Sequence, residues 1–232
     1  MISFPRGARL ALAALVLGSA LTLASSASAA PLPPPYNSRT TTRAQWNQEW
    51  SAWAATTLAE NAGYWKPILG QRFVPPRLRF LQNAPIQTGC GPVDNAAGAM
   101  YCFYDATIYI DVFFLQEEER NFGAHAAQLI LDHEYGHHIQ NLQGLAPIGM
   151  QSELQADCLA GAAMASQAQA EDLDARSLVE TLVNTTEAGG DPSLRTESHG
   201  TAYERVSALS DGIVDLSRCQ LTGDGSYYPT LL

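Results

Sequence analysis

His133-Glu134-Tyr135-Gly136-His137-His138-Ile139-Gln140 places a His-Glu-x-x-His pattern inside an apolar run, Ala126 to Ile139, that reads as a helix. Residues four apart on a helix lie one above the other, so His133 and His137 can direct imidazole nitrogens at one ion, with Glu134 about 100° round beside the ion's open side. Zinc takes neutral nitrogen and anionic oxygen donors, and a catalytic site keeps one of its four positions for water. Two histidines therefore leave one protein ligand to find. The same five letters can arise by chance on a solvated helix face, but three of the chain's five histidines fall between 133 and 138. The flanking Ala126, Ala127, Leu129, Ile130, Leu131, Ile139 and Leu142 predict a helix buried over much of its circumference.

The third ligand is expected on the next helix-like run. Glu153 and Asp157 stand four apart in Ser152-Glu153-Leu154-Gln155-Ala156-Asp157-Cys158, followed by Gly161, Ala162, Ala163 and Ala165. One carboxylate can reach the metal while the other accepts the free ring N–H of a ligand histidine, fixing its tautomer. Small residues let two helix backbones approach closely. The extended motif with a third histidine is excluded, because Gln140 and Gln143 occupy the positions where it needs glycine and histidine. His125 and His138 lie off the His133/His137 line and are expected to be non-ligands.

These segments, together with Ser198-His199-Gly200-Thr201 and Arg205, resemble the signatures of the bacterial neutral zinc metallopeptidase family, a gluzincin-type group. Arg72-Phe73-Val74-Pro75-Pro76-Arg77-Leu78, Cys90-Gly91, Tyr101-Cys102 and Ile108-Tyr109-Ile110-Asp111 extend the resemblance over roughly residues 45 to 219. It implies one zinc per chain held by His133, His137 and Glu153, Glu134 as catalytic base, and Asp157 behind a ligand histidine. Ala99-Met100, Phe103 and Gly190-Asp191-Pro192 depart from the family pattern and bear on substrate contacts rather than on the metal set. In gluzincins, which the chain resembles, the edge strand of a sheet takes the substrate backbone by strand addition. Ile108 to Val112 is the segment expected to do so.

The first 29 residues read as a secretory signal peptide, with Arg6 and Arg9 before an apolar stretch from Leu10 to Ala24 and Ala27-Ser28-Ala29 as the cleavage site. A membrane anchor would need an apolar run of about 20 residues. No later run approaches that length, so no stable membrane insertion is expected after cleavage, and the product is expected outside the cell or in its envelope. Removing Arg6 and Arg9 takes two positive charges from a formal net charge of −10, which argues against nucleic acid as a partner. A peptide or protein substrate is expected instead.

Four cysteines remain, an even count that in an exported chain favours disulfides. Three pairings are possible. Cys90–Cys102 would close a Gly-rich loop between strand-like runs, and Cys158–Cys219 would pin the Glu153 helix to the last helix; this is the expected pair of bonds. The absence of any Cys-x-x-Cys spacing argues against a cysteine metal site.

Residues 30–42 read as a Pro-rich linker and 43–232 as a single domain. The expected class is α+β and zincin-like, a small, partly antiparallel sheet packed on the long His-Glu-x-x-His helix, with a mainly helical C-terminal half. Helices are predicted over 42–61, with Trp46, Trp50, Trp53 and Leu58 facing the core, and over 121–142, 151–168, 176–186 and 202–216. Thr201-Ala202-Tyr203-Glu204 fits a capping box. Strands are predicted over 77–81, 101–104 and 107–113, the last two joined by a turn at Asp105-Ala106.

The chemistry expected of such a site is peptide hydrolysis, with Glu134 moving the proton and His199 donating to the oxyanion of the tetrahedral intermediate. Arg205 is placed to brace Glu134, Asp157 or the His199 loop. Two other readings fit the same motif. One is a hydrolase of peptidoglycan peptides or amides; the other is a non-catalytic zinc-binding accessory of the cell envelope, against which an intact Glu134 argues.

Overall fold

The computed structural model describes Pro33 and residues 42–81, 85–94, 98–123, 125–145, 149–171, 199–220 and 227–230. The signal peptide expected over residues 1–29, the linker expected from residue 30 as far as Thr41 apart from Pro33, and the helix predicted at 176–186 lie outside the described residues. What is described is α+β, with a small mixed sheet and a helical majority.

The chain enters through α1, Arg43–Leu69. Thr42 starts it as a capping box, its hydroxyl accepting from the Gln45 backbone N–H while the Gln45 side chain accepts from the Thr42 N–H. The helix runs eight residues past the predicted end because Trp65 and Leu69 continue the buried stripe of Trp50, Trp53 and Leu58. Pro67 falls in the last turn, and Gly70 closes the helix at φ 57°.

Among the described residues five strands follow: β1 Arg77–Phe80, β2 Ile86–Thr88, β3 Gly91–Val93, β4 Ala99–Cys102 and β5 Thr107–Ile110. The β2–β3 pair forms a separate antiparallel hairpin. In the main sheet the order is β1-β5-β4, with β1 parallel and β4 antiparallel to β5. This corrects the expectation that Ile108 to Val112 offers an open edge to substrate. Both sides of β5 are hydrogen-bonded, and every residue of the strand is buried. Its unbroken apolar character is that of a central strand.

The predicted strand over 107–113 stops at Ile110, and Val112–Phe122 forms a helix, α2. Asp111 makes the switch: its carboxylate accepts from the Phe113 N–H and caps the helix, whose buried face carries Val112, Leu115 and Gln116. Gly123 ends α2 at φ 99°. The motif helix, α3, is therefore Ala126–Leu142 rather than 121–142.

After α3 come α4, Met150–Glu171, and α5, Ala202–Val214, which begins with the predicted Thr201/Glu204 capping box. The three helices pack very closely. A Cβ on Gly136 would lie 2.7 Å from the Ala156 carbonyl oxygen, one on Gly161 2.2 Å from that of Leu209, and one on Gly212 1.8 Å from that of Cys158. Glycine at these positions lets backbone touch backbone, so α4 lies directly on α3 and α5 directly on α4. Cys158–Cys219 fastens the short 3-10 turn Leu216–Cys219 to α4, and Cys90–Cys102 ties the β2–β3 turn to β4.

The main core joins Trp50, Trp53 and Trp65 of α1 to Ile108 and Ile110 of β5 and to Leu131, Tyr135 and Ile139 of α3. Helix α3 is thus held between sheet and helices. From Ala126 to Gln140 only Ile130 escapes full burial. His138 helps set this position, hydrogen-bonded to the Val74 carbonyl through Nε2 (2.6 Å) and to the Tyr101 hydroxyl through Nδ1 (3.0 Å).

Candidate metal centre

Along α3 the helical repeat stacks His133 and His137 on the face turned toward α4, their rings 4.7 Å apart and nearly perpendicular. The Gly136–Ala156 contact lets the first turn of α4 reach them. Glu153 Oε2 lies 3.2 Å from His133 Nε2 and 3.3 Å from His137 Nε2. The three side chains can each supply one atom to a single ion, those atoms all lying within 4.8 Å of one another. Among the described residues no other group of three or more His, Cys, Asp or Glu is so arranged. Glu134, one residue from His133, is buried beside them.

Each histidine is held from behind. Asp157 Oδ1 sits 2.8 Å from His133 Nδ1, and Arg205 makes a two-pronged pair with Asp157, Nε to Oδ2 at 2.8 Å and Nη2 to Oδ1 at 2.9 Å. Of the three roles open to Arg205, the structure thus joins it to Asp157. His137 Nδ1 lies 2.9 Å from Gln140 Oε1. That contact was missed from the sequence, although the i, i+3 spacing of the pair is a signal that it could be made.

His199, three residues before α5, brings Nε2 to 3.4 Å from the same Glu153 oxygen. Its side chain is half exposed. The cap of α5 belongs to Thr201, so capping does not account for His199. His125 hydrogen-bonds Gln128, and His138 is engaged with Val74 and Tyr101, so neither joins the cluster.

The electrostatics favour a cation. Burial by itself would lower the pKa of His133, but the Asp157, Glu153 and Glu134 carboxylates around it raise it to about 10. Burial would likewise raise Asp157, yet the Arg205 guanidinium and His133 bring it down to about 2. Glu153 is also pushed up by burial and is held well below the usual carboxylate range by His133 and His137. Burial lowers the pKa of His199, ahead of the opposing pull of Glu153. Two imidazole nitrogens and one carboxylate oxygen, set among anionic groups, are a donor set that suits zinc.

Residues 6–149 match the family model described as "Putative neutral zinc metallopeptidase". The chain belongs to this family. The match ends four residues before Glu153, so Glu153, Asp157, His199 and Arg205 stand on their geometry rather than on it. Among curated relatives, Uncharacterized protein Rv2575 of Mycobacterium tuberculosis is 39% identical over 112 residues, covering 42% of this chain and 38% of that protein. Uncharacterized protein YpfJ of Escherichia coli is 31% identical over 186 residues, covering 67% of this chain and 64% of that protein. The chain thus spans less than two thirds of the length of either relative. No solved structure matches. No helix among the described residues is long and apolar enough to cross a membrane, and the two disulfides suit an oxidising compartment.

Proposed function

We propose that this protein is an exported zinc-dependent peptide hydrolase. The observation that carries the reading is the convergence of His133 Nε2, His137 Nε2 and Glu153 Oε2 beside Glu134. In this reading those three residues hold one zinc ion. When bound, zinc lowers the pKa of water and polarises a substrate carbonyl.

The rest is the work of the chain's own groups. Glu134 takes the proton of the attacking water and hands it to the leaving amine, work that needs a carboxylate within hydrogen-bond reach. His199, half exposed with its Nε2 3.4 Å from Glu153 Oε2, donates to the oxyanion as the carbonyl becomes tetrahedral. Asp157 accepts from His133 Nδ1–H and so presents Nε2 to the metal, with Arg205 keeping Asp157 ionised and oriented.

The test takes four variants of the mature protein, with zinc content and cleavage of a peptide library as readouts. Glu153→Ala is expected to lose metal. Glu134→Gln is expected to keep metal and fold while losing about 10² to 10⁴ in rate. His199→Ala is expected to keep its zinc but lower kcat and kcat/KM together by about a hundredfold or more. Stoichiometric zinc in Glu153→Ala together with its loss from Asp157→Ala would overturn the ligand set, and undiminished turnover in Glu134→Gln would remove the base.

A further inference from the structure

Gln140 is 1% exposed, and all of its amide capacity is used inside the protein. Its Nε2 donates to the Ser152 carbonyl at 2.7 Å and to Gln155 Oε1 at 3.0 Å. Its Oε1 faces His137 Nδ1 at 2.9 Å and receives the Ser152 hydroxyl at 3.1 Å. Gln155, also buried, donates its own Nε2 to the Cys219 carbonyl at 2.9 Å.

These bonds have a polarity that can be followed from one end to the other. A backbone carbonyl only accepts, so Cys219 requires the NH2 of Gln155 on its side, which turns Gln155 Oε1 toward Gln140. That oxygen and the Ser152 carbonyl are both acceptors, so they require the NH2 of Gln140. The oxygen of Gln140 must then face His137. An oxygen there can only accept, so His137 Nδ1 carries the proton and the lone pair is left on Nε2, the nitrogen aimed at Glu153.

We propose that Gln140 is a positioning residue that sets the tautomer and ring orientation of His137, and that it is itself oriented by Ser152 and by Gln155 on the disulfide-anchored Cys219 carbonyl. The two motif histidines are therefore supported differently, His133 by a carboxylate backed by a guanidinium and His137 by a neutral amide chain. A carboxylate partner makes a ligand ring more basic than an amide does, so His137 is the weaker donor of the two. The inference deepens the zinc reading and rests on it.

The mature chain and two variants separate the possibilities, with Zn2+ affinity measured by chelator competition and thermal unfolding measured without metal. Gln140→Met fills the space but offers no acceptor to His137 and no donor to α4. Gln140→Glu keeps an acceptor for His137 while giving up both donors. Loss of an outer partner of this kind costs about 10- to 100-fold in metal affinity, which is the drop expected for Gln140→Met. Gln140→Glu is expected to regain most of that affinity although its melting temperature falls as it does in Gln140→Met. Affinity that tracks melting temperature across both variants, or an unchanged affinity in Gln140→Met, would overturn the proposal. Nitrogen-15 spectra of the zinc-loaded wild type supply a readout that needs no variant: a proton on His137 Nδ1 supports the proposal and one on Nε2 ends it. A wild type that binds no Zn2+ at all would overturn the metal reading and this inference together.

Discussion

Arg205→Met should expose how much of the site's architecture is bought with charge. Asp157 is almost wholly buried and meets two cations, Arg205 through two hydrogen bonds and His133 through one. Two routes give the magnitude. A carboxyl brought from 3.8 to about 2 contributes roughly 2 to 3 kcal/mol once ionised, each pKa unit being worth about 1.4 kcal/mol. Removing one partner of a buried pair costs about 3 to 5 kcal/mol, and the low end applies because the Arg205 side chain is about a quarter exposed and His133 remains. The expected loss is about 3 kcal/mol at pH 7. The sign with pH follows from the depressed pKa. The stability supplied by an ionised Asp157 is present above the unfolded carboxylate value and is lost as pH falls through about 2. The deficit of the variant should therefore shrink on acidification, to about half its neutral value near pH 3. Urea unfolding of both proteins with a chelator present, at pH 7 and pH 3, measures it free of any metal contribution. A deficit below about 1 kcal/mol at pH 7, or one that is the same at both pH values, would refute the reasoning.

Gly136→Ala forces a methyl to within 2.7 Å of the Ala156 carbonyl, so α3 and α4 must part. An overpacking cost of about 1 to 3 kcal/mol is expected, together with weaker zinc binding because Glu153 moves with α4; unchanged affinity would show that the close contact does not place the carboxylate. Replacing Cys158 and Cys219 by serine opens a loop of 61 residues, for which chain entropy gives about 4 kcal/mol; a fall in melting temperature no larger than that for the Cys90/Cys102 pair would contradict the estimate. Asp132 is buried against Asn61, and burial raises its pKa to about 8. Its contribution is thus present below the unfolded carboxylate value and is lost as pH rises through about 8, so Asp132→Asn should flatten the decline of stability across that window by up to about 1.4 kcal/mol per pH unit, as read from denaturation midpoints.

How much of this was legible in the sequence depended on how far apart the interacting residues lie. Helical period alone stacks His133 on His137 and Glu153 near Asp157, and the capping box at Thr201 is complete within four residues. Each of these could be read without knowing the fold. The strand order could not. An apolar Ile108-Tyr109-Ile110 is as compatible with an edge as with a centre, and only pairing with the distant β1, on one side, and β4, on the other, decides it. Helix α2 was hidden for a related reason. Val112 to Leu115 continues the hydrophobic run of β5, and the signal against a strand was a single residue, Asp111, whose carboxylate turns the chain by capping.

The support of the two motif histidines shows the same limit at the scale of side chains. Asp157 was legible as a partner because the Glu153/Asp157 pair, which alone would read as a solvated stripe, follows the His-Glu-x-x-His helix after a short loop and stands among small residues. Gln140 was passed over because glutamine at that spacing looks like any solvated helix residue, and its role depends on a carbonyl at Cys219, 79 positions away. What brings that carbonyl to α4 is the Cys158–Cys219 bond, next in sequence to Asp157. The same disulfide therefore stands behind both supports, beside Asp157 through the chain and behind Gln140 through Gln155. A cysteine pair that sequence alone presents as a staple of the last helix acts, in the folded protein, on the geometry in which both imidazoles meet Glu153.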